Sequence, residues 1–324
     1  MVINFYKICV FYAFLIEFSL LRDNPDYFTH KNKDLKVKCN IIGAGRLGKN
    51  IALALSTAQI ISSLFIYNRS KESAHLACQE IGSGTAVDKI EQLPAADVTW
   101  ICTNDDSIHL IIDALMNHST LQHNSLVIHC SGVLNSTLLN PLKTRGCSVA
   151  SFHPLKAFKT NYLAPDAFNN VDCVLEGDPV AIAWLKQTFS LLGAQLTAIK
   201  PEAKTIYHAA ACMASNYLIT LASCSEELLH QAGISPQQSR RMLVNLMQGN
   251  LTNLHQTEHI AESLTGPIAR GDTQTLALHL DAIENKEIQH LYKAAGLATA
   301  PLTQLNEDKK LEINALFQYL TRGC

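Results

Sequence analysis

Hydrophobic and polar positions along the chain fall into two regimes. From Lys36 to about Ile199, short apolar runs alternate with segments of helical period. Runs at 37–42, 64–67, 98–103, 126–130, 148–152, 171–176 and 195–199 predict strands, and 49–55, 107–116 and 179–192 predict helices between them. Alternation of this kind predicts an α/β fold, a mostly parallel, doubly wound sheet covered by helices on both faces. Ligands of such sheets collect at the carboxyl ends of the strands. After Pro201 the strand-like runs stop. Residues 202–231 read as one long helix, with Pro201 near its start and Gly233 just beyond its end. About thirty residues at 1.5 Å each span about 45 Å, and a middle that is apolar nearly all round predicts burial among other helices. Ser235 and Gln238 read as a capping box opening a helix through about Leu254, and further helices fit 272–283, 286–294 and 305–320. The second half is therefore all-α, giving a predicted extension at 1–35, an α/β domain at 36–199 and a helical domain at 200–324.

The sharpest local pattern is Cys39-Asn40-Ile41-Ile42-Gly43-Ala44-Gly45-Arg46-Leu47-Gly48, an apolar strand running into G-x-G-x-x-G and then a helix. In that context Gly43 permits a tight turn, Gly45 lets the backbone touch a pyrophosphate, and Gly48 lets helix and sheet pack closely. The helix start adds N–H groups and a positive dipole end, so Gly43, Gly45, Arg46, Leu47 and Gly48 are candidate cofactor residues. A second strand follows within about thirty residues, as a βαβ unit requires. At the end of that strand an NAD-binding fold carries an acid for the ribose 2′-hydroxyl. Here the residues are Tyr67-Asn68-Arg69-Ser70, with no carboxylate. Asn68, Arg69 and Ser70 suit a 2′-phosphate, which favours NADP over NAD; the alternative is that Arg69 is a solvated loop charge. Thr103 heads a loop placed beside the ribose and nicotinamide half, while Asp105 and Asp106 read as helix caps.

Composition narrows the class. The chain has 324 residues, 48% of them hydrophobic, enough for two domains and a sizeable core. A formal net charge of −2 gives no support for nucleic acid as a partner. Ten cysteines without a C-x-x-C pair fit reduced thiols in a cytoplasmic protein, and no His/Cys group has zinc spacing. Residues 1–21 are apolar and aromatic but interrupted by Lys7 and Glu17, which argues against a spanning helix, and no small-residue cleavage site follows. The segment reads as an extension outside the fold, such as a misplaced translation start leaves, rather than a membrane contact.

Candidate chemistry gathers at strand ends and on the long helix. His129-Cys130-Ser131-Gly132 closes one strand and Ser151-Phe152-His153-Pro154 the next. Lys204, His208 and Ser215 share one helix face, their offsets corresponding to about 40° and 20° around the axis. A lysine and a histidine on an otherwise apolar, Ala-rich stripe are costly unless partnered. Reduction of a carbonyl or imine needs a proton donor beside the atom that gains electrons, and Lys204 and His208 are the candidates by type. His129 reads as structural. Ser131, His153, Asn216 and Arg270 are candidate substrate contacts, Arg270 through a bidentate pair with an anion or, alternatively, as a loop-shaping salt bridge; Asp272 reads as a helix cap.

Taken together, Gly43 to Gly48, His129 to Gly132, Phe152-His153-Pro154, Lys204-Thr205-Ile206-Tyr207-His208-Ala209-Ala210, Ser215-Asn216 and Thr265 to Asp272 resemble the Rossmann-like proteins that carry a C-terminal helical domain of unknown function. That group is similar to pyrroline-carboxylate reductases, ketopantoate reductases and β-hydroxyacid dehydrogenases. The resemblance covers about Lys36 to the C-terminus. It implies an NADP-type cofactor in a cleft between the two domains and a homodimer built through the helical one, but no particular substrate. The β-hydroxyacid dehydrogenases carry Lys-x-x-x-Asn on a helix with the lysine as general acid; here the fourth residue after Lys204 is His208. The expectation is an NAD(P)-dependent oxidoreductase acting on a small carbonyl or imine compound, an acid by preference. The alternative is a non-catalytic NADP-binding sensor or assembly protein on the same fold.

Overall fold

The computed structural model describes residues 36–117, 121–160 and 162–319, so the predicted extension, including 1–21, lies outside the described residues. The chain divides into two compact units, Met1–Ala211 and Cys212–Cys324.

The first unit holds β1 (Val37–Ile42), β2 (Ile61–Tyr67), β3 (Thr85–Val87), β4 (Val98–Ile101), β5 (Leu126–His129), β6 (Ser148–Pro154), β7 (Asp172–Gly177) and β8 (Gln195–Ala198). They form one sheet in the order β3-β2-β1-β4-β5-β6-β7-β8. All neighbours run parallel except β6 and β7, which pair antiparallel. The chain steps outward from β1 through β2 to β3, then returns to β4 on the other side of β1. The carboxyl ends of β1 and β4 are therefore the switch point where such sheets bind ligands.

Helices α1 (Arg46–Thr57), α2 (Lys71–Ile81), α3 (Asp105–Asn117), the single turn α4 (Asn140–Lys143) and α5 (Pro179–Leu191) connect the strands. Successive strand residues feed opposite faces, as the pleat requires. Ile41, Ile66, Trp100, Ile128 and Phe152 join one core with α1 and α5, whereas Ile42, Ile101, Val127 and Val149 join another with α3. Trp100, Phe152 and Phe189 pack edge-on or tilted with ring centroids 4.2 to 5.8 Å apart, anchoring α5 to the sheet.

Two strands depart from the pattern. β2 begins three residues earlier than the apolar run because Ser62 and Ser63 dilute its hydrophobicity. β3 was not predicted, being an edge strand of three residues with no alternation to read.

The second unit is helical. α6 (Lys204–Gln231) spans the division, and α7 (Pro236–Gln256), α8 (Pro267–Arg270), α9 (Thr273–Ala282), α10 (Lys286–Thr299) and α11 (Glu307–Tyr319) follow. Leu276, Leu280, Ala300, Ile313 and Phe317 form its buried core. A 3₁₀ turn, Pro201–Ala203, precedes α6, so the long helix starts at Lys204 rather than at residue 202. The expected burial of α6 is not found. Lys204 alone is buried along it, while Ile206 is 73% and Met213 66% exposed, and Tyr217, Ile219 and Leu221 are exposed too. The capping box is also absent: Ser235 is the N-cap of α7, but its Oγ donates to Gln238 Oε1 at 2.8 Å instead of satisfying a backbone N–H. Among the described residues no helix is long and apolar enough to cross a membrane.

Candidate active site

The loop after β1 is built by close approach. Gly43 has φ +94° and donates its N–H to the Tyr67 carbonyl at 2.8 Å; a side chain there would meet Thr103 N at 2.8 Å. A Cβ on Gly48 would lie 2.5 Å from the Gly43 carbonyl oxygen, so only glycine lets α1 seat on the loop. A Cβ on Gly45 would meet nothing within 4 Å. The first helical bond of α1 runs from the Lys49 N–H to the Gly45 carbonyl at 3.0 Å, which leaves the N–H groups of Arg46, Leu47 and Gly48 outside the helix ladder. Gly45 as N-cap offers no side chain to them, and the first turn holds no acid. Free donors, open space at Gly45 and a helix N-terminus fit the pyrophosphate of a dinucleotide.

The residues after β2 divide into three roles. Asn68 Oδ1 accepts the Ala44 N–H at 2.6 Å and so pins the glycine loop from behind. Ser70 caps α2, accepting the Ser73 N–H at 3.3 Å and donating to Glu72 Oε2 at 2.7 Å, so its hydroxyl is engaged by the fold. Arg69 is exposed. Arg46 is exposed as well, its Nη1 donating to the Phe158 carbonyl at 3.4 Å. Thr103 Oγ1 is buried without a hydrogen-bond partner. Asp105 and Asp106 do not cap α3: both lie in its first turn, where their charge favours the dipole, and Asn104 receives the Ser107 hydroxyl at 2.7 Å.

A second set of polar groups lies where β5, β6 and β7 meet the start of α6. Lys204 is 0% exposed, and its Nζ donates to Ser151 Oγ, which in turn donates to the Ser131 carbonyl at 3.4 Å. Ser151 pairs across the sheet with Glu176. The buried Glu176 carboxylate accepts the Ser136 N–H at 2.7 Å and the Ser136 hydroxyl at 2.6 Å. Burial lowers the Lys204 ammonium to about 8, against the opposing pull of Glu176, Cys130 and Asp105. The lysine thus stays mainly charged at neutral pH in a site that water does not reach. His129, also fully buried, accepts the Ser131 N–H on Nδ1 at 3.2 Å. Burial first, then Lys204, pushes His129 down to about 4.

Half-buried groups cover this inner layer. The His153 Nδ1 and the Tyr207 hydroxyl are 2.8 Å apart, and the rings of His153 and His208 lie 5.7 Å apart edge to face. Burial, Lys204 and His208, in that order, hold His153 near 4, and burial raises Tyr207 to about 12. A Cβ on Gly132 would lie 2.6 Å from His208 Nε2 and 2.9 Å from His153 Nε2, so both imidazoles close over the Gly132 backbone.

The fold therefore brings Lys204, His153 and His208 together. Ser131 is present but not as a lining group: it is buried, and its hydroxyl accepts the Leu134 N–H at 2.9 Å to form a local turn. Asn216 and Arg270 belong to the second unit. Asn216 is exposed on α6. Arg270 Nε donates to Asp272 Oδ2 at 2.9 Å, and Asp272, though the N-cap of α9, makes no side-chain cap bond. Four site residues were missed: Ser136, Ser151, Glu176 and Tyr207. Ser151 stands two residues before His153 and so shares its strand face, and Glu176 is an acid inside an apolar strand run; both are readable signals.

Residues 23–154 match the family model of the Rossmann-like domain, and residues 171–299 match that of a domain of unknown function, DUF2520. No curated protein matches. Among solved structures, a Bacteroides fragilis protein provisionally described as an NADP oxidoreductase is 19% identical with TM-score 0.68, over 82% of this chain and 98% of that one. A protein of Thermotoga maritima is 24% identical with TM-score 0.64, over 82% and 98%. An imine reductase from a Pseudomonas species is 17% identical with TM-score 0.56, over 88% and 99%. At these identities the likeness is one of fold. The first part of the chain is thus similar to a Rossmann-like domain and the second to a DUF2520 domain.

Proposed function

We propose that this protein is an NADP-dependent oxidoreductase that reduces a small carbonyl or imine compound, an acid by preference. One observation carries the reading: the glycine cradle and the buried polar cluster lie at the carboxyl ends of strands of one sheet, the first after β1 and the second at β5 and β6. Cys102 stands against Gly48, its Sγ is 3.6 Å from Cys130 Sγ, and Cys130 precedes Ser131, whose carbonyl accepts the hydroxyl of Ser151, the partner of Lys204. Gly43, Gly45, Arg46, Leu47 and Gly48 hold the pyrophosphate, and Arg69 binds the 2′-phosphate. When bound, NADPH supplies the hydride. His153 and His208, half-buried over Gly132, meet the substrate. Lys204 is wholly buried and bonded to Ser151, so it acts through its charge, which favours an anionic substrate, and His208 is the proton donor. The apolar face of α6 is the surface through which the helical unit forms a homodimer.

The test is a turnover assay on the full chain. Oxidation of NADPH is followed at the nicotinamide band against keto acids and cyclic imines, with His208→Ala alongside. The reading expects turnover on at least one acid that His208→Ala abolishes while NADPH still binds. Binding without turnover across a wide panel favours the sensor alternative, and turnover intact in His208→Ala removes that residue as the donor.

A further inference from the structure

Tyr207 has no part in the roles assigned above, yet its hydroxyl lies within hydrogen-bond distance of His153, 2.8 Å from Nδ1. Two arrangements are open to that pair. In one, His153 carries its proton on Nδ1 and donates to the phenol oxygen, which leaves the phenol proton without an acceptor among the described residues. In the other, the phenol donates to Nδ1 and the imidazole proton sits on Nε2, over Gly132; a phenol O–H is the stronger donor of the two groups and an imidazole nitrogen the stronger acceptor, so this pairing is favoured. The charges around the ring favour a neutral imidazole. Lys204 and His208 face it from α6, Tyr207 keeps its proton because burial raises it to about 12, and the nearby Cys173 thiol on β7 is raised to about 12 by burial. The hydrogen bond made by one ring nitrogen decides which tautomer the other presents.

We infer that Tyr207 is a positioning residue that fixes His153 as its neutral Nε2–H tautomer, so that an N–H donor stands over Gly132 for the oxygen of a carbonyl substrate. The inference rests on the reductase reading and narrows it. A carbonyl oxygen has lone pairs to accept that N–H and gains negative charge as it is reduced, which is where a preorganised donor acts most strongly. A protonated imine has no lone pair to offer, so this donor favours ketones or aldehydes over iminium substrates. As the carbonyl becomes an alcohol, its carbon would take the hydride that NADPH supplies, leaving NADP⁺, its oxygen takes a proton from His208, and His153 keeps its own. Gly132 completes the arrangement, because a side chain there would displace both imidazoles.

The experiment is a long-range ¹H–¹⁵N correlation spectrum of the imidazoles in the full ¹⁵N-labelled chain without nucleotide, between about pH 6 and 8. His153→Gln identifies the His153 signals. The expected spectrum shows His153 neutral with its proton on Nε2, and in Tyr207→Phe that preference collapses toward a mixture of tautomers. In the turnover assay, Tyr207→Phe lowers kcat on a ketone about tenfold with KM and NADPH affinity nearly unchanged, the effect of one lost hydrogen bond felt in the transition state. A proton on Nδ1 in the wild-type chain, a doubly protonated ring at neutral pH, or an unchanged spectrum in Tyr207→Phe overturns the inference. The wild-type spectrum alone decides where the variant does not fold. Failure of the dinucleotide reading shows separately, as absent NADPH binding with the tautomer signals intact.

Discussion

Two alanine substitutions three residues apart in the glycine loop should have opposite signatures. A Cβ at Gly48 would lie 2.5 Å from the Gly43 carbonyl oxygen and 3.3 Å from Cys102 Cβ, and the first of these is backbone that cannot swing away. Overpacking costs about 1–3 kcal/mol, and contact with rigid backbone puts this case at about 2–3 kcal/mol. Replacing a helical glycine returns up to about 1 kcal/mol, so Gly48→Ala should lose about 1–2 kcal/mol of unfolding free energy. At Gly45 nothing lies within 4 Å and φ is −77°, which alanine adopts freely. The weaker N-cap and the stiffer unfolded chain offset each other to within about 0.5 kcal/mol. The methyl group of Gly45→Ala instead fills the space a pyrophosphate needs, and NADPH affinity should fall at least about tenfold, or about 1.4 kcal/mol. Urea unfolding and fluorescence titration with NADPH measure the two quantities on the same protein. Wild-type affinity in Gly45→Ala refutes the cradle, and wild-type stability in Gly48→Ala refutes the close helix–loop contact.

Three further outcomes follow from the same geometry. Arg69→Asp should weaken NADPH binding far more than NADH binding; equal changes in the two titrations remove Arg69 as the reader of the 2′-phosphate. His129 and His153 are each held near 4 against an ordinary 6.5, so below pH 6.5 the unfolded chain binds more protons than the folded one and stability falls with acidification toward pH 4. Each contributes a loss of about 3 kcal/mol when complete, and His153→Gln should flatten the slope of unfolding free energy between about pH 6.5 and 5; an unchanged slope means that His153 is not held neutral. Ser136→Ala removes one of two hydrogen bonds to the buried Glu176 carboxylate and should cost about 1.5–3 kcal/mol in urea unfolding. Lys71→Ala, which breaks an exposed pair with Asp88, should cost far less, and equal costs would contradict the burial argument.

The parts of the molecule that were legible in the sequence are those set by local pattern. The step from Ile42 through Gly43 to Gly48 is a strand, a turn and a helix start, each announced by residue types with few conformational options. β3 was invisible because three edge residues carry no period. The tie between Ser136 and Glu176 joins residues forty apart in sequence, and only the register of β6 against β7 brings Glu176 opposite Ser151. Asn68 was read for its chemistry toward a phosphate, but its position opposite the Ala44 N–H decides its role in the fold. Tyr207 lay inside the most specific motif and was passed over because helical period assigns a face, not the atom a hydroxyl will touch. Lys204 was singled out as an expensive residue on an apolar stripe, but its complete burial is a property of packing.

The account stands most directly on nucleotide binding by the full chain. Titration with NADPH and NADH, followed by intrinsic fluorescence or calorimetry, should give saturable binding of NADPH and binding of NADH at least about tenfold weaker. No binding of either nucleotide, or tighter binding of NADH, would contradict it.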